Sequence, residues 1–316
     1  MTEVITGKVA AEAPPTRRRK RGGPGARRLS PGDRLVVTAM VLVPLVLVIG
    51  LVWLPAIATV VLSFTNWNGI GDLKDIEFIG TRNYHDVVTI YPPFEPAMRN
   101  NLLFLFVLFF IATPIGIFFA VLLDRELRGT RVYQMAIYVP VVLSFALIGF
   151  IWQLLYSKDQ GLLNAVLGTE IDWYGDPNVN IWAVLVATSW RHIGYIMLLY
   201  LAGLKSVDPS LREAAAVDGS GEVSTFFRII FPVLRPINII VLVITVIESL
   251  RAFDLVFVIN AGRNGLELLS VLVYQNIIGE ASRIGYGSAI GTILLVLALG
   301  FIVTYLVQNF RTEKAP

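Results

Sequence analysis

Six long apolar runs, at residues 35–64, 102–123, 132–156, 181–204, 237–260 and 288–307, constrain this chain more than any other feature. A bilayer core about 30 Å thick takes ~20 helical residues to cross, and each run is long enough. Inside hydrocarbon every backbone N–H and C=O must be bonded within the protein, which a helix achieves by itself. The expectation is an all-α, polytopic membrane protein with six transmembrane helices. Composition agrees, since 55% of the 316 residues are hydrophobic and 16% charged, where a soluble domain carries about a quarter charged. Mean hydropathy is +0.69. With no cysteine, disulfides, thiolate metal sites and a cysteine nucleophile are excluded.

Residues 1–34 read as a disordered basic tail, with 35–316 forming the transmembrane domain. The tail is rich in Pro, Gly and Arg, includes Arg17-Arg18-Arg19-Lys20-Arg21 and Arg27-Arg28, and holds too little apolar surface to offset chain entropy. A basic run can bind nucleic acid. Directly before an apolar span it more often holds that end in the cytosol and touches anionic lipid, which is the reading taken here. The run beginning at Leu35 is far longer than the ~7–15 apolar residues of a secretory signal.

Positive charge sets the orientation. Placing both termini inside puts the basic tail, Arg125, Arg128, Arg131, Lys205, Arg212, Arg228, Arg235, Arg311 and Lys314 in the cytosol. Outside lie Lys74, Arg82, Arg99, Lys158, Arg263 and Arg283, a bias of three to one in favour of this topology. Four prolines within spans, Pro44, Pro55, Pro114 and Pro140, each forfeit a helix hydrogen bond and favour kinks.

Between the fourth and fifth runs, residues 208–236 are polar yet carry helix grammar. Asp208 can cap a helix that begins with Pro209, and Glu213 lies near its positive end. Asp218-Gly219 ends that helix. Ser220 can cap a second one, with Phe226, Phe227 and Ile230 on an apolar face and Pro232 and Pro236 as stops.

Ionisable groups inside spans cost about 2.5–3.5 kcal/mol each unless paired or wet. Arg191-His192 lies some ten residues below the outer end of the fourth run, and Glu248 some eleven above the inner end of the fifth. At 1.5 Å per residue they meet near the midplane. Glu248, Arg251 and Asp254 share a helical face by their spacing of three. Two compatible readings stay open: an ion-pair cluster that fixes packing, and a polar translocation path in which Trp190, Tyr195 and Asn260 face the solute.

Glu213-Ala214-Ala215, Asp218-Gly219, Ile229 and Pro232, at these offsets, resemble the EAA loop of ABC importer permeases. Asp218-Gly219-Ser220 with Phe227 and both prolines is similar to the carbohydrate branch, of the maltose and glycerol-phosphate transporter type. Gly161-Leu162-Leu163-Asn164 and Gly285-Tyr286-Gly287-Ser288-Ala289 fit the family's order. Ala261-Gly262-Arg263-Asn264-Gly265 departs from its Gly-Gly-Pro turn.

The resemblance implies the type I importer fold, with the coupling loop at 206–236 as a helix-turn-helix docking on an ATPase. It implies a second homologous permease, two ATPase subunits that bind the ATP, and an extracytoplasmic solute-binding protein, all at the bacterial inner membrane. The implied solute is a mono- or oligosaccharide; glycerol phosphate or another small polar solute is the alternative.

The chain carries no GxxxxGK[ST] phosphate loop and no His-Glu-x-x-His zinc motif. No cofactor, metal or catalytic residue is expected of it. An intramembrane serine hydrolase is the contrasting class, and could pair only Ser144 or Ser189 with His192.

Overall fold

The computed structural model describes residues 30–125, 128–279 and 282–313, and all but the last residues of the expected tail fall outside them. It forms two compact units, Met1–Pro55 and Ala56–Pro316. In the first, Ser30 opens the helix Pro31–Val48 through a reciprocal cap: Ser30 Oγ accepts the Asp33 N–H at 3.1 Å, and the Asp33 carboxylate accepts the Ser30 N–H. The helix therefore starts four residues before the apolar run, inside the segment assigned to the tail.

Among the described residues, four helices are long and apolar enough to cross a membrane: Pro31–Leu62, Phe94–Asp124, Asn180–Ser206 and Ile284–Gln308. The third run, expected as a single helix, is a bent pair, and a loop helix meets the start of the fifth run at a second bend. Thr130–Val142 meets Phe145–Leu155 at 103°, and Glu222–Val233 meets Arg235–Asn260 at 80°. At the first bend Pro140 weakens the ladder, Leu143 is extended, and Ser144 Oγ accepts the Leu147 N–H to begin the next helix. At the second, Leu234 leaves the helical conformation between Pro232 and Pro236.

Proline also widens helices without breaking them. A proline ring crowds the carbonyl four residues back, so the preceding turn opens to an i→i−5 bond. Leu54 N–H reaches Ile49 O before Pro55, Thr113 N–H reaches Leu108 O before Pro114, and Phe231 N–H reaches Phe226 O before Pro232.

Within the second unit Asn180–Ser206 is the central element, with one face buried in every turn from Ile181 to Leu204. Its first half packs with Phe104, Ile148, Leu255, Ile259 and Leu268. Its last half packs with Ala120, Leu123, Ile230, Leu234 and Val241. Residues 255–259 and the loop after Leu204 thus sit at opposite ends of this helix. Gly194 permits one close crossing, because a Cβ there would lie 2.3 Å from the Ile137 carbonyl oxygen.

Candidate functional site

Halfway along the central helix, Arg191 Nη1 donates to Glu248 Oε1 at 2.8 Å and His192 Nδ1 lies 2.5 Å from Glu248 Oε2. The count of residues from opposite ends therefore brought the right groups together. On the other side of the imidazole, Nε2 lies 3.1 Å from Thr113 Oγ1 and 3.3 Å from Thr245 Oγ1. Thr245 spends its proton on the Val241 carbonyl. In a neutral ring whose Nδ1–H donates to the carboxylate, Nε2 accepts from the Thr113 hydroxyl. Three helices are pinned at one point.

Arg191 is further held by the Phe145 ring, 4.0 Å from its guanidinium carbon, while its buried Nε has no partner among the described residues. Both occupy the wall of a cavity of about 230 Å³ that Glu248, Arg251, Phe253 and Asp254 also line. Backing this wall, His192 is itself only 1% exposed and lines no part of the cavity.

Several expected roles change here. The helix Arg235–Leu250 ends at Arg251, and the next begins at Asp254, so Glu248, Arg251 and Asp254 do not share a helical face. Arg191 and His192, rather than Arg251, compensate Glu248. Trp190 sits edge-on to Trp152 at 5.8 Å, outside the cavity. Tyr195 packs against the cluster of Met197 and Tyr200. Asn260 uses its carboxamide on the turn: Nδ2 donates to the Tyr174 and Arg263 carbonyls, and Oδ1 accepts from the Gly262 and Arg263 amides. As for a serine–histidine pair, both nitrogens of His192 are engaged elsewhere and Ser144 Oγ is a helix cap, so neither serine is activated.

At the far end of the same helix the polar loop takes its expected helical form. Asp208 caps Pro209–Val217 by accepting the Ser210 N–H at 2.9 Å, and those bonds hold its carboxyl below the ordinary carboxylate range. Gly219 follows with φ of 72°; no atom crowds its missing Cβ, so backbone conformation alone requires glycine.

Local corrections are three. Glu213 falls at the fifth helical residue, and the first turn holds no acid. The second helix, beginning at Glu222, is capped by Gly221, while Ser220 Oγ accepts from the Thr225 hydroxyl. Phe227 is exposed, leaving Phe226 and Ile230 to form the inward face.

Glu213, Ala214, Ala216 and Asp218 face outward, whereas Ala215 is 3% exposed and packs inward. Ile229 packs against the inner apolar cluster and Pro232 is exposed.

The loop is tied to the end of Phe94–Asp124 by charge. Asp124, 7% exposed at its side chain, accepts Arg212 Nη1 at 2.7 Å and lies 3.2 Å from Lys205 Nζ. Its neighbour Arg125 pairs with Glu222. Sequence reasoning treated Arg125, Lys205 and Arg212 only as topology signals and passed over Asp124, Thr113 and Thr245. An adjacent Asp-Arg pair closing an apolar run was the available sign for the first.

The chain as a whole is similar to known proteins. The sequence matches the family described as binding-protein-dependent transport system inner membrane component over residues 99–313. The xylose/arabinose import permease protein of Haloferax volcanii is 33% identical over 261 residues, spanning 79% of this chain and 80% of its own length. The trehalose/maltose transport system permease protein of Thermococcus litoralis is 29% identical over 279 residues, spanning 87% and 94%. In fold, a chain from a bacterial ABC transporter involved in import of the acidic polysaccharide alginate is similar at a TM-score of 0.77. That likeness carries 20% identity and covers 90% of this chain and 98% of the other. With the family match reaching across more than half of its length, this chain belongs to the binding-protein-dependent transport system inner membrane components and is a permease subunit of an ABC importer.

Proposed function

We propose that this subunit imports a mono- or oligosaccharide, handed to it by an extracytoplasmic binding protein and driven by ATPase partners. Residues 130–155 and 235–260 count in this reading as one span each, giving six with the four long helices; residues 222–233 stay in the loop, and both termini lie in the cytosol of a cell whose inner membrane holds the complex. A second, homologous permease completes the pathway, and two ATPase subunits bind the ATP. The subunit itself performs no chemistry. Relatives with sugar-import names support the solute class, as does a midplane cavity walled by Phe145 and Phe253 with Arg191 and Glu248 beside them. Glycerol phosphate, the second reading, draws on Arg191 and Arg251, which both reach that wall.

The loop 206–236 is the coupling element. One observation carries this: Asp124, at the end of a long apolar helix, is bound by both Lys205 and Arg212, so displacement of the loop pulls directly on that helix. Glu213, Ala214, Ala216 and Asp218 present the docking surface, with Gly219 shaping the turn. Ala215, Ile229 and Pro232 set how the two short helices seat. When the ATPases close on ATP the loop moves, and the spans rock between inward-open and outward-open states. Arg191, His192 and Glu248 keep three helices in step at the midplane.

Uptake by the complete complex in proteoliposomes tests the reading. With binding protein outside and ATP inside, labelled xylose, trehalose or maltose accumulates. Accumulation of glycerol 3-phosphate but of none of the sugars would overturn the solute assignment.

A further inference from the structure

Beyond the midplane cavity, toward the end of the molecule away from the coupling loop, lies a second cavity of about 450 Å³. Tyr91, Phe257, Arg263, Tyr274, Gln275 and Asn276 line it. That volume falls within the ~300–1,000 Å³ usual for ligand sites, whereas the midplane cavity at about 230 Å³ is smaller. Three rings stand between the two. Phe253, on the midplane wall, stacks on Phe257 at 5.0 Å with 18° between planes, and Tyr274 meets Phe257 at 4.9 Å and Phe253 at 5.5 Å. All three remain partly exposed.

The break in the fifth span positions them. Because the helix stops at Arg251 and restarts at Asp254, Phe253 and Phe257 come one turn apart at the start of the new helix, and their rings align. Tyr274 is brought opposite by the helix Leu269–Ile277, whose Asn276 Nδ2 donates to the Tyr91 hydroxyl at 3.1 Å and to the Leu272 carbonyl. Sugars present C–H faces that lie on aromatic rings and hydroxyls that bond to planar polar groups. The outer cavity offers both, its rings beside the Gln275 amide and the Arg263 guanidinium.

The geometry points to a second carbohydrate subsite in the outer cavity, from which Phe257, Tyr274 and Phe253 pass a sugar ring face by face to the midplane cavity. This rests on the sugar reading above and adds an entry route to it. Stacking tolerates sliding because a ring face has no fixed hydrogen-bond register, so the rings bind without trapping.

The test uses the complete complex and whichever of xylose, trehalose and maltose the wild type accumulates. In Phe257→Ala and Tyr274→Ala the KM for uptake rises ~3–10-fold, more than kcat falls, and Phe257→Trp restores it. The chain has no cysteine, so Gln275→Cys makes a single thiol in the outer cavity, and the transported sugar slows its labelling by a water-soluble maleimide. If a sugar is accumulated yet KM is unchanged and labelling is unprotected, the subsite is wrong while the sugar reading stands. A loss that tracks only the amount of folded complex, unrescued by tryptophan, assigns the rings to packing and also overturns it. If none of the sugars is accumulated, both fall together.

Discussion

Two charge clusters tie helices together in this permease, and they differ in what surrounds them. Arg191, His192 and Glu248 are 19%, 1% and 20% exposed, and every contact is made within the helix bundle. Around the loop 206–236, Arg125 and Glu222 are 51% and 76% exposed, and Arg212 is 43% exposed although its partner Asp124 is nearly buried. A buried charge left without its partner is costly, about 3–5 kcal/mol, whereas exposed pairs contribute ~0–1 kcal/mol and weaken in salt. The midplane cluster therefore holds its three helices together firmly. In the coupling we propose, the loop cluster transmits displacement and is remade in each cycle.

Breaking the contrast at its strong end has the largest effect. Glu248→Ala strands Arg191 and His192 and lowers stability by about 3–5 kcal/mol, read as a large fall in the unfolding midpoint of the solubilised complex. Glu248→Gln, which keeps the shape, loses less. Gly219→Val comes next. The αL conformation costs a residue with a Cβ about 1–2 kcal/mol, and more when it is β-branched, so uptake falls sharply while membrane insertion is unchanged. Retained wild-type uptake would show that the loop tolerates another backbone shape. Asp124→Asn removes the shared partner of Arg212 and Lys205. It costs ~1–2 kcal/mol in stability but uncouples transport, so ATP hydrolysis continues while uptake drops several-fold. Smallest is Glu222→Gln, within about 1 kcal/mol and vanishing in high salt, measured by uptake and thermal unfolding at two ionic strengths.

The same two regions show what a sequence discloses and what it withholds. Around the loop, Asp208, Pro209 and Gly219 act through bonds and dihedrals a few residues away, so cap, first turn and stop were readable directly. At the midplane a residue count sufficed, because rise per residue converts sequence position into depth and unpaired charge there is costly. What failed required tertiary knowledge. The Asp124–Arg212 pair joins residues 88 apart, and no local spacing encodes it. Ala215 turning inward while its neighbours face out depends on where the loop packs. The break after Arg251 defeated a helical-face reading that assumed an unbroken span. The bend at Leu143 had a local sign in Pro140 and the Ser144 cap, obscured by the apolar residues on both sides.

Whether the 206–236 loop receives force from an ATPase is most directly decided by a photo-reactive residue in place of Ala216, which faces outward on the first loop helix. In intact cells carrying the whole transporter, irradiation captures the ATPase subunit, and the yield changes when ATP is trapped on the complex. Capture of lipid alone, or a yield indifferent to nucleotide, would contradict the coupling role given to this loop.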